Sequence, residues 1–153
     1  RVANPASFLA PEQLEPAPDH VARLESYLDE RRLLTTQLDI RAPAYRWVAA
    51  RVQLRAAPGI NQADVEGEVL ARLYRFLNPL TGGPRGDGWP FGRELFLSDI
   101  YQTLQGLPHV QFIRNVDLFM TAPGGGPQGD PVESVELVAH GMVVSGRHEV
   151  VFV

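Results

Sequence analysis

Four histidines, His20, His109, His140 and His148, are the natural candidates for transition-metal chemistry in a chain that has no cysteine. A metal needs three or four converging ligands. These four fall on a predicted helix start, a strand start, a turn and a strand, and only His140 and His148 could meet, across a predicted hairpin. A third ligand is not apparent, so the sequence assigns no metal and no cofactor. Nucleophilic chemistry would use a Gly-x-Ser-x-Gly elbow, which is missing, and Ser98 beside Asp99 stands where a helix cap belongs. No catalytic residue is assigned. Thr81-Gly82-Gly83-Pro84-Arg85-Gly86 looks like a phosphate cradle but lacks the Gly-Lys-Ser/Thr ending, and its proline removes a backbone donor. Arg85-Gly86-Asp87 matches an integrin-recognition tripeptide that recurs by chance in Gly-rich turns. Arg41, Arg46, Arg51 and Arg55 suggest a basic stripe, although Arg46 differs in strand parity and ion pairing is the simpler use. A rival reading, a free-standing small-ligand-binding or hydrolytic α/β domain, requires a deep pocket lined by Asp87, Asp99 and a histidine.

Composition narrows the classes. The chain has 153 residues, of which 44% are hydrophobic, enough for one core. Its net charge of −4 disfavours a broad electrostatic grip on nucleic acid or an anionic membrane. No apolar run reaches the roughly 18 residues of a membrane span, and no signal-peptide pattern opens the sequence. Absence of cysteine fits a reducing compartment. Because residue 1 is arginine, the chain is expected to be a module of a longer polypeptide.

The elements follow from periodicity. Residues 1–18, with Pro5, Pro11, Pro16 and Pro18 among Phe8, Leu9 and Leu14, predict an extended Pro-rich arm. A helix from Asp19, its expected N-cap, to about Arg32 places Val21, Leu24, Tyr27 and Leu28 on one face. Residues 37–41 alternate as a strand that Pro43 interrupts at an edge or bulge. A second strand, 45–54, sets Val48, Ala50, Val52 and Leu54 on one face and Tyr45, Trp47, Arg51 and Gln53 on the other. Either helices cover both faces or Tyr45 and Trp47 are exposed anchors. With Phe8, Leu9 and Leu14 they form the predicted partner interface. Asn61 caps a helix striped by Val65, Val69, Leu70, Leu73 and Phe76, and Ser98 caps a short one that carries Ile100, Tyr101 and Leu104 inward. Residues 109–120 predict a two-sided or bulged strand, and 122–131 a flexible Gly-rich tongue. Val135–Val138, Met142–Val144 and Glu149–Val153, joined by turns such as Ser145-Gly146, predict an antiparallel meander. The expected fold class is therefore α+β, a single domain over 19–153 with two or three helices on a mixed, largely antiparallel sheet.

Between helix and helix lies Phe76–Arg93, too rich in Gly and Pro for a helix or strand yet carrying two large rings. Asn78, Pro79, Gly82, Gly83, Trp89, Pro90, Phe91 and Gly92 predict an ordered loop, with Trp89 and Phe91 pinned against the domain or a partner.

Residues 27–36 (Tyr27-Leu28-Asp29-Glu30-Arg31-Arg32-Leu33-Leu34-Thr35-Thr36), Ala42-Pro43-Ala44-Tyr45, the 76–93 loop and Ser98-Asp99-Ile100-Tyr101, taken in order, resemble the C-terminal part of baseplate J-like proteins. The resemblance spans about residues 20–120; its most specific part is Leu77–Pro84 followed by Gly88-Trp89-Pro90-Phe91-Gly92-Arg93. It is nearest the branch found with phage-like extracellular contractile injection systems. The resemblance implies a non-catalytic structural wedge subunit in a sixfold-symmetric baseplate. Its implied partners are other wedge subunits, hub and spike proteins and sheath-proximal proteins, with no nucleic acid. It also implies assembly in the cytoplasm into a tail-like particle that can be released. Residues 1–18 and 122–131 lie outside the resemblance.

Overall fold

A computed structural model describes residues 6–153; the first five residues of the predicted arm lie outside the described residues. The long strand β1, Ala44–Ala56, is the axis of the fold. Its β-branched and small residues alternate, so that Val48, Ala50, Val52 and Leu54 are fully buried on one face. Strand β3, Val110–Met120, pairs antiparallel along one edge of β1, with register shifts near Gln53/Leu54 and Arg55/Ala56. The shift at Gln53/Leu54 brings Ile113 into phase with Val116 and Leu118, whereas Phe119, in the unbroken stretch opposite Ala49, is buried on the other face, so β3 is both bulged and two-sided.

The carboxyl-terminal strands correct the predicted meander. Strands β5, Gly141–Ser145, and β6, Glu149–Phe152, both pair parallel to β1 on its other edge, end to end. Between the two stretches of pairing, Ala49 and Ala50 of β1 face Gly146, Arg147 and His148. One edge strand thus carries one extra residue, a bulge in a parallel ladder. Ser145-Gly146, which resembles a hairpin turn in sequence, is instead the end of β5 and the first residue of that bulge. The sheet is mixed, and its helices and strands give the α+β fold that the sequence predicts.

Two helices supply the other half of the core. Helix α2, Gln62–Phe76, begins where Asn61 Oδ1 accepts the Ala63 amide at 3.1 Å, and buries Val65, Val69 and Leu73. Strand β2, Leu95–Phe96, leads directly into helix α3, Leu97–Leu104, and pairs with the short β4, Ser134–Val135, in a separate two-stranded sheet. Ser98 does not cap α3. Phe96 is the N-cap residue, and the Asp99 carboxylate reaches back to its amide at 3.1 Å. Ile100 and Leu104 join the core, and the Tyr101 hydroxyl accepts the Val116 amide of β3 at 3.0 Å.

The amino-terminal third departs from expectation. Helix α1, Pro18–Asp29, has its N-cap at Ala17, two residues before the expected Asp19, has no side-chain cap and buries none of its residues. Proline at the first helical position replaces Asp19 as the start signal, because its missing N–H would be unpaired there in any case. Residues 37–41 form no strand: the segment has no ladder partner. The arm is not uniformly extended, since Pro11–Gln13 makes one 3₁₀ turn.

Candidate functional site

The 76–93 loop is a closed internal scaffold. Asn78 is buried, and its Oδ1 accepts the amides of Leu80 and Thr81 at 2.9 and 3.1 Å, an Asx turn that folds the chain back at Pro79. Gly83 N–H donates to Phe76 O, Gly82 N–H to Asn78 O, Gly88 N–H to Gly82 O and Trp89 N–H to Pro79 O, all at 2.7–3.0 Å. The glycine amides are therefore spent inside the loop, and Thr81–Gly86 presents no phosphate cradle. Gly82 has to be glycine for a steric reason: a Cβ there would collide with the backbone carbonyl oxygens of Phe76, Arg75 and Asn78.

Trp89 closes the loop onto the core. It is 2% exposed, its indole N–H donates to Arg93 O at 2.9 Å, and its ring meets Phe76 edge-on at 5.6 Å. Arg93 stacks 5.3 Å over the same ring and grips both Asp99 oxygens at 3.1 and 3.3 Å. Asp99, one of the two residues expected to cap this helix, thus serves both Arg93 and the start of α3. Phe91 corrects the expectation that both rings are pinned. It is 63% exposed, because the turn that buries Trp89 carries the residue two places on to the outside. Gly92 N–H meanwhile donates to Gly141 O and ties the loop to β5.

The predicted partner interface resolves into two surfaces. Leu9, Leu14 and Trp47 are buried against one another and against Val144, with Phe8 and Tyr45 packed beside them. The arm covers the second face of β1, so the apolar area of Leu9, Leu14 and Trp47 is used within the chain and offers little to a neighbour. The Tyr45 hydroxyl donates to Leu14 O at 3.4 Å, and burial pushes its pKa upward. Phe8 extends this contact: its ring meets Tyr74 of α2 edge-on at 6.3 Å, and the Arg147 guanidinium lies over it at 5.1 Å. The predicted flexible tongue is likewise tied down, since Arg147 N–H donates to Gly125 O at 2.8 Å and Gly124 lies against the Phe8 ring.

Five exposed large apolar side chains fall instead on the excursion from α1 to Pro43, with others spread over the loops and strands, among them Leu80, Phe91, Phe112 and Met120. Leu24 and Tyr27 point outward from α1, Leu33 and Leu34 lie in the turn that follows and Leu38 in the segment leading to β1, with Leu34 fully exposed. The turn between them is held by Arg31 Nη1–H to Tyr27 O at 2.9 Å and Arg32 Nη1–H to Thr36 O at 2.8 Å. Arg31 also stacks 3.8 Å over the Tyr27 ring. The helical stripe was legible in sequence; its outward orientation was not, because periodicity identifies a face without saying what the face meets.

The remaining candidates for chemistry have structural uses. His148 Nδ1 accepts the Ala50 amide at 3.0 Å, and Nε2 lies 2.7 Å from Ser145 Oγ. A serine 2.7 Å from an imidazole resembles a nucleophile and base. With Nδ1 accepting a backbone N–H, however, the proton of the neutral ring is on Nε2, which then donates to Ser145 and is not free to accept its proton. Ser145 in turn donates to Gly146 O at 3.0 Å. This pair was missed in the sequence; the missed signal is the valine-rich run continuing across Ser145-Gly146. Arg85 and Asp87 pair with each other at 3.4 Å on an exposed turn. Of the suspected basic stripe, Arg41 pairs with Asp39 and Arg51 with Glu149 at 3.3 and 2.7 Å, while Arg55 donates to Val153 O. Among the described residues no three His, Asp or Glu side chains are placed to share a metal, and no helix is long and apolar enough to cross a membrane. The groove that Asp99 lines contains neither Asp87 nor a histidine.

No family model matches the chain, and no curated protein matches it.

Proposed function

We propose that this chain is a structural module of a baseplate wedge in a phage tail-like contractile injection particle. The observation that carries an assembly role is the excursion from α1 to Pro43, which holds Leu24, Tyr27, Leu33, Leu34 and Leu38 outward. Each such leucine gains about 1.5–3 kcal/mol when fully buried, so a partner surface that covers them is strongly favoured. The resemblance of the 27–36 and 76–93 segments to baseplate J-like proteins supplies the kind of assembly. In this reading the excursion docks on a neighbouring wedge subunit, and the loop braced by Trp89 and Arg93 keeps the module rigid under the load of contraction. Hub, spike and sheath-proximal proteins are the further partners of a sixfold wedge ring, assembled in the cytoplasm within a particle that can be released.

The role is non-catalytic. It is supported by the engagement of Asp99, Ser145 and His148 in structural hydrogen bonds. The test is to tag the full-length protein in its native host and sediment the lysate on a gradient. Co-migration with sheath-containing particles, lost on deletion of the sheath or hub genes, is the expected result. A slow-sedimenting monomer in a particle-bearing lysate would overturn the proposal.

A further inference from the structure

A groove of about 560 Å³ lies between α2 and α3 and is rimmed at one end by the turn 81–86. Its walls carry Arg72 and Arg75 from α2, Gln102 from α3 and Gln105 just past the end of α3, above the Arg93–Asp99 pair. Arg93 is neutralised by Asp99 and fixed against Trp89. Arg72 and Arg75 differ: among the described residues neither has a carboxylate within ion-pair distance. Glu68, one turn earlier on α2, forms no ion pair with Arg72 and does not line the groove. A chain of net charge −4 thus keeps two guanidinium groups outside any ion pair along this groove.

We infer that this groove binds an acidic peptide segment in an extended conformation. Residues three apart on a helix hold their Cβ atoms about 5–6 Å apart. Alternate side chains of an extended peptide recur at roughly 6.6 Å. Carboxylates at positions i and i+2 of such a peptide therefore reach Arg72 and Arg75 together, each in the two-point geometry that guanidinium favours. Gln102 and Gln105, each with an amide donor and a carbonyl acceptor, suit the peptide's own backbone on the opposite wall. A single small anion would leave most of the volume unfilled, since grooves of about 300–1,000 Å³ suit ligands of many atoms. The inference does not depend on the baseplate reading.

The test is fluorescence anisotropy of a fluorescein-labelled decaglutamate peptide on the full chain at low and physiological salt. Saturable binding is expected, weakened roughly tenfold or more by the Arg72→Gln/Arg75→Gln double variant. An Arg46→Gln/Arg114→Gln control should retain affinity within about twofold, and the melting temperatures of both variants should match the parent, as expected for exposed positions. Absence of saturable binding, equal losses in the two double variants, or tighter binding of a labelled deca-oligothymidylate would each overturn it.

Discussion

His148 Nδ1 accepts the Ala50 amide at 3.0 Å, at the point where the β5–β6 edge carries one residue more than β1. The side chain takes the place of the backbone carbonyl that the bulge removes from the ladder. Protonating Nδ1 would destroy that bond, and burial holds the His148 pKa down to about 3. The unfolded chain titrates near 6.5. Stability is therefore fully present above about pH 6.5 and is lost as the pH falls from there toward 3.

From pH 7.5 to pH 5, this one group is expected to cost on the order of 2 kcal/mol of unfolding free energy. Urea titrations of the parent and of His148→Asn, whose amide oxygen can accept the same N–H without titrating, separate it from the carboxylates. The parent should lose about 2 kcal/mol more than the variant over that range. Equal losses would show that His148 does not hold the bulge as a neutral acceptor.

The two rings of the 76–93 loop predict opposite outcomes. Trp89→Ala removes a buried indole and its hydrogen bond to Arg93 O, and should destabilise by about 3–5 kcal/mol. Phe91→Ser, at an exposed ring, should stay within about 0.5 kcal/mol. Denaturant midpoints measured side by side decide the matter, and a mild Trp89→Ala would remove the bracing role of the loop.

Two glycines give a second opposed pair. At Gly67, inside α2, a Cβ meets nothing within 4 Å, so Gly67→Ala should raise stability by about 0.4–1 kcal/mol. At Gly82 the same atom meets three backbone carbonyl oxygens, and Gly82→Ala should cost about 1–3 kcal/mol. Thermal melts of the two variants should move in opposite directions.

What the sequence made legible follows the range of the interactions involved. Helix α2 and strand β1 announce themselves because Val65, Val69 and Leu73, and Val48, Val52 and Leu54, repeat with the period of one element and are buried by it. The closed loop was legible for the same local reason, since Asn78-Pro79 and the glycines set its backbone. The direction of β5 and β6 was not, because an edge strand that runs parallel to β1 and one that runs antiparallel show the same valine-rich pattern. The destination of Trp47 was also hidden. Its exposure depends on whether Leu9 and Leu14, more than thirty residues earlier, fold back over it. The stripe on α1 shows the converse, an amphipathic helix whose apolar side is only partly covered, with Val21 and Leu28 half-buried and Leu24 and Tyr27 exposed.

The assembly account stands or falls on the exposed leucines of the α1 excursion. The decisive measurement is the share of a tagged Leu33→Asp/Leu34→Asp variant of the full-length protein that enters sheath-containing particles in the native host, beside tagged parent and a Phe91→Ser control. Both leucines are exposed, so the variant should fold as the parent does. The account predicts that parent and Phe91→Ser sediment with the particles while the double variant stays in the slow fractions. Incorporation of the double variant at the parent level, or a parent that never enters the particles, would contradict it.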